Sequence, residues 1–214
     1  MNIRDTRKDY NRLALDLQSP GAEPFPLIEQ WMRDASADDP EDFNAFVLST
    51  ASPDGRPSAR VVLARDVSAQ GIQFFTNHHS QKGRQLLTNP SAAATFFWRG
   101  LERQLRIVGA VTQLSAEASD AYFASRPRAS QIGAWASDQS APFESDPSEL
   151  TVAYERFEAQ FPVNELVPRP PHWGGFLIDL GEVEFWQGRP SRLHNRLRYL
   201  KLASGAWQID TLNP

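Results

Sequence analysis

The sequence predicts a mainly β protein with helices, an α+β fold built on an antiparallel sheet that tends to close into a barrel. Two observations carry this prediction. Strand candidates outnumber helix candidates, and short turns join most neighbouring strands where a parallel sheet would need crossover helices. The hydrophobic fraction of 41% and the charged fraction of 22% are those of an ordinary globular chain.

Short apolar or alternating runs bounded by turn residues predict the strands. They cover residues 45–52, 58–64, 72–76, 92–98, 103–114, 176–180, 183–186, 197–202 and 207–211. The first two are separated by Pro53-Asp54-Gly55, whose turn chemistry predicts a hairpin.

Helical spacing and stop signals predict four helical regions. One lies around residues 27–37, a second opens at Ser80 and ends before Asn89-Pro90, a third covers 115–135 with a break at Pro127, and a fourth begins at Asp146. Residues 1–26 are polar and irregular, so they are predicted to form a mobile N-terminal arm. Residues 27–214 then form a single domain.

Composition excludes several classes of function. A net charge of -4 with a pI near 5.6 leaves no excess of cations for a nucleic-acid backbone. The absence of cysteine excludes disulfides and sulfur-ligated zinc. No apolar stretch has the length of a membrane span or the form of a signal peptide. The expectation is a soluble, cytoplasmic protein that binds neither nucleic acid nor membrane.

The common phosphate and hydrolase motifs are missing. The sequence has no G-x-G-x-x-G after a strand, no P-loop and no G-x-S-x-G. His78, His79, His172 and His194 lack metal-ligand spacing, so no metal site is predicted. Any phosphate must therefore be held by side chains.

Two groups of cations are candidates for that task. Arg60 and Arg65 flank an apolar run, and their odd separation places them on opposite faces of a regular strand, where they would serve different ligands or edges. Ser80-Gln81-Lys82 stands at a helix start, where amides, a hydroxyl and an ammonium could meet an anion. Taken alone, each group fits solvated surface charge better than it fits a phosphate site.

The segment 192–196 is denser in cations. It holds Arg192, His194 and Arg196 and follows Trp186 closely. Such a group can hold a planar anionic ligand by stacking and paired hydrogen bonds. It also fits a basic loop beside a core tryptophan, and both interpretations stay open on spacing alone.

A resemblance adds to this picture. The chain carries a collinear series of motifs: RVVL at 60–63, FFTN at 74–77, SQK at 80–82, SRPRASQIGA at 125–134, QS at 139–140, WGG at 173–175, EFWQG at 184–188 and RLHNR at 192–196. Their order from about residue 45 to the C-terminus resembles that of the pyridoxamine 5'-phosphate oxidase family. Many matches in one order are far more specific than any single motif.

The resemblance implies a split β-barrel, Greek-key-like and antiparallel, in a homodimer with two FMN sites at the interface. It also implies the reaction, in which pyridoxine or pyridoxamine 5'-phosphate is oxidised to pyridoxal 5'-phosphate. A hydride passes to the flavin, and dioxygen is the final acceptor and becomes hydrogen peroxide. The cofactor carries this chemistry, so no nucleophile or acid/base pair is required.

The resemblance assigns roles residue by residue. Cofactor binding falls to Arg60, Val61, Val62, Leu63, Phe75, Thr76, Ser80, Gln81, Lys82, Gln104, Gln139, Ser140, Trp186 and Arg196. Substrate binding falls to Arg7, Tyr10, Arg65, Tyr122, Arg126, Ser130, Arg192 and His194, of which Arg192 and His194 are the catalytic pair that holds the pyridine. Arg7 and Tyr10 resemble an N-terminal lid.

Three positions depart from the family's usual pattern: Arg65 replaces lysine, Gln81 replaces arginine and Asn195 replaces aspartate. Two alternatives therefore stay open. The first is a related FMN oxidase of another reduced aromatic, such as a phenazine precursor, which SQKGR at 80–84 also resembles. The second is a non-catalytic flavin or pyridoxal-phosphate binder. The retained substrate residues favour the vitamin B6 phosphate.

Overall fold

A computed structural model describes residues 9–143 and 146–214 of the chain. The helices within these residues are α1 (Phe25–Asp38), α2 (Gln81–Thr88), α3 (Ala116–Ser125), α4 (Arg128–Ala136) and α5 (Glu149–Gln160), with a 3-10 turn at Pro190–Arg192. The strands are β1 (Ala45–Ala51), β2 (Pro57–Leu63), β3 (Asp66–Ser68), β4 (Gly71–Asn77), β5 (Ser91–Trp98), β6 (Arg103–Gln113), β7 (Trp173–Asp179), β8 (Glu182–Gln187), β9 (Asn195–Lys201) and β10 (Trp207–Thr211).

The strands form one antiparallel sheet that branches at β6. Its main path runs β10-β9-β8-β6-β5-β1-β2. A side branch runs from β6 through β7 and β4 to β3. The first half of β6 pairs with β8 and its second half with β7, while β5 pairs along the other edge. The sheet curls around this long strand, which confirms the predicted fold class.

Aromatic side chains fill the inside of the curl. Phe46, Phe74, Phe96 and Phe185 are at most 1% exposed, because alternate residues of an antiparallel strand point to the same face. Helix α1 covers one opening, where Trp31 meets Phe185 edge-on at 5.0 Å between ring centroids. A second, smaller cluster of Phe123, Ile132, Val167 and Trp173 joins α3 and α4 to β7.

Most predicted elements are present, and the differences have local causes. Strand β3 was not predicted, since three residues are too short for a periodic pattern. Helix α5 was predicted to begin at Asp146 but begins at Glu149. The expected capping contact still forms, since Asp146 Oδ1 accepts the Ser148 amide at 2.7 Å. Strand β7 begins at Trp173, three residues earlier than predicted, because Gly174 and Gly175 continue the pairing with β4.

The N-terminal segment lies against the sheet over its described part. Residues 9–24 form neither helix nor strand. Leu15 and Leu17 pack against the core, and the Tyr199 hydroxyl donates to the carbonyl oxygen of Gly21 at 3.0 Å. The mobility expected for residues 1–26 stays a prediction. Over the described residues, no helix combines the length and the apolar character that crossing a membrane requires.

Two glycines with positive φ differ in how closely other atoms approach them. A substitution at one tests backbone strain alone, and a substitution at the other tests strain together with a steric clash. Gly71 begins β4 at φ 146°, where an added Cβ would lie 1.9 Å from the carbonyl oxygen of Ile178 on β7. Gly55 has φ 85° with no atom within 4 Å of an added Cβ. We expect Gly55→Ala to lower the free energy of unfolding by about 1–2 kcal/mol. Gly71→Ala should cost roughly 2–5 kcal/mol, since overpacking adds to the strain.

Urea unfolding at pH 7 followed by tryptophan fluorescence measures both losses. Equal losses for the two variants would contradict the prediction. They would mean that β4 and β7 separate slightly at no cost.

Candidate functional site

A basic site lies in a cavity of about 490 Å³ between β2, β4 and the helices α3 and α4. Three of its cations, Arg60, Lys82 and Arg126, are buried or half-buried, and Arg65 stands exposed beside them. The remaining lining residues are aliphatic, polar, aromatic or small. They are Val61, Val62, Leu63, Phe75, Thr76, Asn77, Tyr122, Ser130, Gly133, Ala134, Ser137, Gln139 and Trp173.

Arg60 is positioned by neutral oxygen atoms. Its Nη1 donates to Thr50 Oγ1 and its Nη2 to Ser58 Oγ, each at 2.7 Å. Thr50 and Ser58 are cross-strand partners of β1 and β2, and both hydroxyls donate to Gln85 Oε1 of α2, at 2.6 and 2.7 Å. Gln85 thereby turns the hydroxyl lone pairs towards Arg60. The guanidinium is held firmly while its positive charge stays unneutralised.

Lys82 approaches the same cavity from the first turn of α2. Ser80 is the N-cap of this helix: its Oγ accepts the Gly83 amide at 3.2 Å and donates to the Asn77 carbonyl at 2.7 Å. Lys82 Nζ donates to Gln139 Oε1 at 3.1 Å and to Thr76 Oγ1 at 3.3 Å. Burial lowers the pKa of the Lys82 ammonium, and the nearby Arg60 lowers it further.

Arg126 lies at the aromatic side of the cavity. Its guanidinium carbon is 4.7 Å from the centroid of Trp173 and 5.6 Å from that of Phe123. Its Nη1 is buried and has no hydrogen-bond partner among the described residues. Burial lowers the pKa of Arg126; Tyr122 opposes that shift, and Arg65 adds to it. An unsatisfied buried donor on a cation favours an anionic ligand.

The cavity is positively charged because acids are missing from it. Arg60, Arg65, Lys82 and Arg126 form no ion pair with any acid in residues 9–143 and 146–214. The cations lie in two pairs, since Arg60 acts on the pKa of Lys82 and Arg65 acts on that of Arg126. Burying such charges is costly unless an anion balances them. Two phosphate groups would do so.

Arg60 and Arg65 line the same cavity. The prediction of opposite faces assumed one regular strand, but β2 ends at Leu63 and the chain bends at Arg65, so strand parity does not apply to Arg65. That the two arginines serve different ligands stays a prediction.

A second group of predicted residues lies elsewhere, at the junction of β6, β8 and β9. Gln104, Trp186 and Arg196 are neighbours across these three strands. The centroid of the His194 ring lies 4.6 Å from that of Trp186. The centroid of the Tyr10 ring lies 5.6 Å from that of Trp186 and 5.8 Å from that of His194. Arg192 is exposed and has φ 62°, directly after Ser191 at φ 57°.

One backbone hydrogen bond orients the His194 ring. Its Nδ1 accepts the Arg189 amide at 3.1 Å. Burial lowers the pKa of His194, and Arg192 lowers it further, which favours the neutral ring. The proton of a neutral ring whose Nδ1 is an acceptor lies on Nε2. His194 therefore offers Nε2–H to a ligand acceptor.

Arg196 differs from the cavity cations because it has an acidic partner. Its Nε lies 2.7 Å from Glu184 Oε1, and its Nη2 lies 3.2 Å from Glu184 Oε2. This bidentate pair raises the pKa of Arg196. Arg106 also contacts Glu184. Arg196 is thus oriented, with its charge largely balanced.

The structure therefore divides the predicted site residues. The cavity brings together the predicted residues Arg60, Val61, Val62, Leu63, Arg65, Phe75, Thr76, Lys82, Tyr122, Arg126, Ser130 and Gln139. Ser80, Gln81 and Ser140 adjoin it without lining it. Tyr10, Gln104, Trp186, Arg192, His194 and Arg196 lie at the second group, and Arg7 lies outside the described residues. Sequence reasoning assigned no role to Trp173, Gln85, Thr50 or Ser58, and no local pattern marks Thr50 or Ser58 as supports of Arg60.

Solved structures define the class of this fold. PhzG from Burkholderia lata, in complex with tetrahydrophenazine-1-carboxylic acid, superposes with a TM-score of 0.89 at 29% identity over 97% of this chain and 100% of that one. A pyridoxamine 5'-phosphate oxidase-related, FMN binding protein from Nostoc punctiforme gives 0.72 at 20% identity over 92% and 100%. The chain has the split-barrel fold of these proteins.

Sequence comparison defines the family. The family described as "Pyridoxamine 5'-phosphate oxidase" matches residues 32–161. Proteins named pyridoxine/pyridoxamine 5'-phosphate oxidase are 49% identical in Bordetella petrii, over the whole of both chains, and 45% identical in Ralstonia pickettii, over 100% of this chain and 99% of that one. The chain belongs to the pyridoxamine 5'-phosphate oxidase family.

Family membership confirms the recognised resemblance and the prediction of an oxidoreductase. It also supports FMN as the cofactor. Residues 173–214 match a "Pyridoxine 5'-phosphate oxidase C-terminal dimerisation region", which points to a homodimer. The roles of individual site residues stay predictions.

Lys82 allows a test of the unneutralised charge. We expect Lys82→Met to leave the unfolding free energy of the flavin-free protein at pH 7 unchanged, or to raise it by up to about 2 kcal/mol, because the exchange removes a buried cation. The same variant should bind FMN about 10- to 100-fold more weakly. Urea unfolding and quenching of flavin fluorescence measure the two effects.

The exposed Lys201→Met is the matched control and should change neither quantity much. A loss of more than about 2 kcal/mol in Lys82→Met would contradict the prediction. It would mean that Lys82 mainly stabilises the fold through Thr76 and Gln139.

Proposed function

We propose that this protein oxidises pyridoxine 5'-phosphate or pyridoxamine 5'-phosphate to pyridoxal 5'-phosphate, with FMN as cofactor and dioxygen as final acceptor. Family membership supports the reaction class. The observation that carries the proposal is the presence of two cation pairs in one cavity that form no ion pair with any acid of the described residues. FMN and a phosphorylated B6 vitamer each bring one phosphate group, so the charges match.

The first cation pair fits the FMN phosphate. Arg60 offers a guanidinium fixed by Thr50 and Ser58, and Lys82 offers an ammonium, so both can donate to phosphate oxygens. Val61, Val62 and Leu63 continue from Arg60 as an apolar edge of the cavity. When bound there, FMN would take a hydride from the substrate and pass the electrons to dioxygen, which leaves as hydrogen peroxide.

The second cation pair fits the substrate phosphate. Arg126 presents its unpartnered Nη1, and Arg65, Tyr122 and Ser130 line the same part of the cavity. The lining ring of Tyr122 stacks on Phe75 at 4.0 Å, which fixes the hydroxyl's direction. No carboxylate lines the cavity among the described residues, which would keep a phosphate dianion favourable.

We propose that the substrate's pyridine is held from the second group, by Arg192 and by the Nε2–H of His194. Gln104, Trp186 and Arg196 would border the flavin ring, and Tyr10 would cover the bound ligand. This group lies outside the cavity of its own chain. A homodimer that sets the second group of one protomer against the cavity of its partner would complete two equal sites.

An exposed apolar face offers the surface for such a dimer. Val61 is 66% exposed on β2, Phe97 is 52% exposed on β5 and Val108 is 45% exposed on β6. Val47 of β1 lies between Val61 and Thr95 in the same sheet. Contiguous exposed apolar side chains on a sheet commonly mark a protein interface.

A second candidate is an FMN oxidase of another reduced aromatic. The structural similarity to PhzG, solved with tetrahydrophenazine-1-carboxylic acid, favours it. A carboxylate could occupy the Arg126 position, but a single charge would leave Arg65 unneutralised. The phosphate is therefore the better match for two cations. A non-catalytic flavin or pyridoxal-phosphate binder is the remaining possibility.

Arg126→Ala tests the substrate phosphate site. We expect the KM for pyridoxine 5'-phosphate to rise about 10- to 100-fold, because a charge-assisted pair is lost. The KM for unphosphorylated pyridoxine, which lacks that partner, should stay within about twofold. Product absorbance and oxygen uptake, followed together on FMN-loaded protein, give both values.

An unchanged KM for the phosphorylated substrate would remove Arg126 from the phosphate site. A wild-type protein that binds FMN but oxidises neither phosphorylated vitamer would overturn the proposed reaction. Turnover of dihydro- or tetrahydrophenazine carboxylates would then support the second candidate, and no turnover would support the non-catalytic binder.

Val108→Asp tests the dimer. A charge on the apolar face should convert the protein to monomer and weaken FMN binding by at least about tenfold, because each site would lose the residues of the partner. Val163→Asp is the matched control: Val163 is 82% exposed on a loop, and its exchange should change neither property. Light scattering after gel filtration and flavin fluorescence measure the outcome. A dimeric Val108→Asp protein would place the interface elsewhere.

A further inference from the structure

A buried carboxylate joins the N-terminal segment to the second group of site residues. Glu102 stands in the connection between β5 and β6 and is only 2% exposed. Its backbone has φ 56°, a left-handed conformation that non-glycine residues rarely adopt. Strain of this kind persists where surrounding contacts hold it. The contacts of Glu102 show which segments of the chain it joins.

The backbone of Glu102 is tied to the end of β8. Its carbonyl oxygen accepts the Gly188 amide at 2.8 Å and the Gln187 side-chain amide at 3.2 Å. Gln187 and Gly188 directly follow Trp186. The position of Glu102 is therefore set by the strand that carries the tryptophan of the second group.

The side chain of Glu102 holds the N-terminal segment. Its Oε2 accepts the backbone amides of Asn11 at 2.9 Å and Arg12 at 3.1 Å. Arg12 also donates from Nη1 to the Gly100 carbonyl at 2.6 Å in the same connection. Two amide donors on one buried carboxylate oxygen are charge-assisted hydrogen bonds, which are stronger than neutral ones. The segment is fixed by its backbone, directly after Tyr10.

The fixed segment places the Tyr10 ring over the second group. Tyr10 lies edge-on to Trp186, at 5.6 Å and 89°, and to His194, at 5.8 Å and 71°. The ring packs so closely on Gly188 that an added Cβ there would lie 2.6 Å from Tyr10 Cγ. A side chain at residue 188 would displace the tyrosine.

We propose that Glu102 is a positioning residue, which clamps the backbone of Asn11 and Arg12 and so keeps Tyr10 over Trp186 and His194. The clamp accounts for a strained, buried acid that does not line the cavity. Its consequence for substrate binding rests on the proposed function. The clamp itself is a property of the fold and can be measured without turnover.

Glu102→Gly removes the carboxylate and also relieves the positive φ, so the variant should fold normally. Amide hydrogen exchange on the full chain should then show the amides of Asn11 and Arg12 exchanging at least about tenfold faster than in the wild type. Glu102→Gln keeps an oxygen acceptor without the charge. Its exchange rates at these two amides should lie between those of the wild type and Glu102→Gly. Unchanged exchange at both amides in Glu102→Gly overturns the clamp.

A double-mutant cycle tests whether the clamp acts through Tyr10. Glu102→Gly and Tyr10→Ala should each raise the KM for pyridoxine 5'-phosphate about tenfold and change kcat less, and the double variant should match Tyr10→Ala alone. Additive effects would overturn positioning through Tyr10. Glu158→Gln, on the exposed face of α5, is the control and should leave the KM unchanged.

An NMR titration of His194 in the wild type, the two single variants and the double variant tests the same coupling without enzyme turnover. Loss of the Tyr10 cover should hydrate the ring and move the pKa of His194 up towards its ordinary value, equally in both single variants and the double variant. A wild-type protein that does not oxidise the substrate would overturn the proposed function, while this titration would still decide the clamp. A His194 pKa that is the same in wild type and Glu102→Gly would overturn it.

Discussion

The arrangement of the site depends on positive charge that no acid in the described chain neutralises. Lys82, Arg60 and Arg126 are wholly or partly removed from water, and desolvation disfavours the charged form of each. A protein that needed only stability would place carboxylates beside them, as it does for Arg196 and Arg198. The cavity instead holds its cations with hydroxyls, a glutamine and aromatic rings. These partners orient a cation without neutralising it, so the attraction for an anion is preserved.

The neutral supports come from several elements, which explains the shape of the fold around them. Gln85 reaches down from α2 to two hydroxyls on β1 and β2, and Gln139 approaches from beyond α4. Trp173 begins β7 and stacks beside Arg126. No single segment could supply all these contacts. A curled sheet with helices packed at one side brings them to one cavity and keeps water from the buried donors.

Sequence reasoning predicted the elements well, because strands bounded by turn residues and a capped helix at Ser80 are local patterns. Strand parity could not place Arg65 relative to Arg60, because β2 ends at Leu63 and the chain bends at Arg65. The supports of Arg60 and the clamp at Glu102 were not found, since Gln85 and Asn11 meet their partners only through tertiary pairing. The division of the predicted residues into two groups likewise depends on strand order. The motifs identified residue types, and the topology decided which of them meet.

The double pairing of β6 has a consequence for how the chain folds. Its first half bonds to β8 and its second half to β7, and Arg103 reaches Gln187 across 84 residues of sequence. Contacts between such distant residues carry a large loop-closure cost and slow folding. During synthesis β6 would emerge long before either partner, with one edge unpaired. Such an edge is a template for association with other chains, so the interval before β7 and β8 arrive is when this protein is most exposed to misassembly.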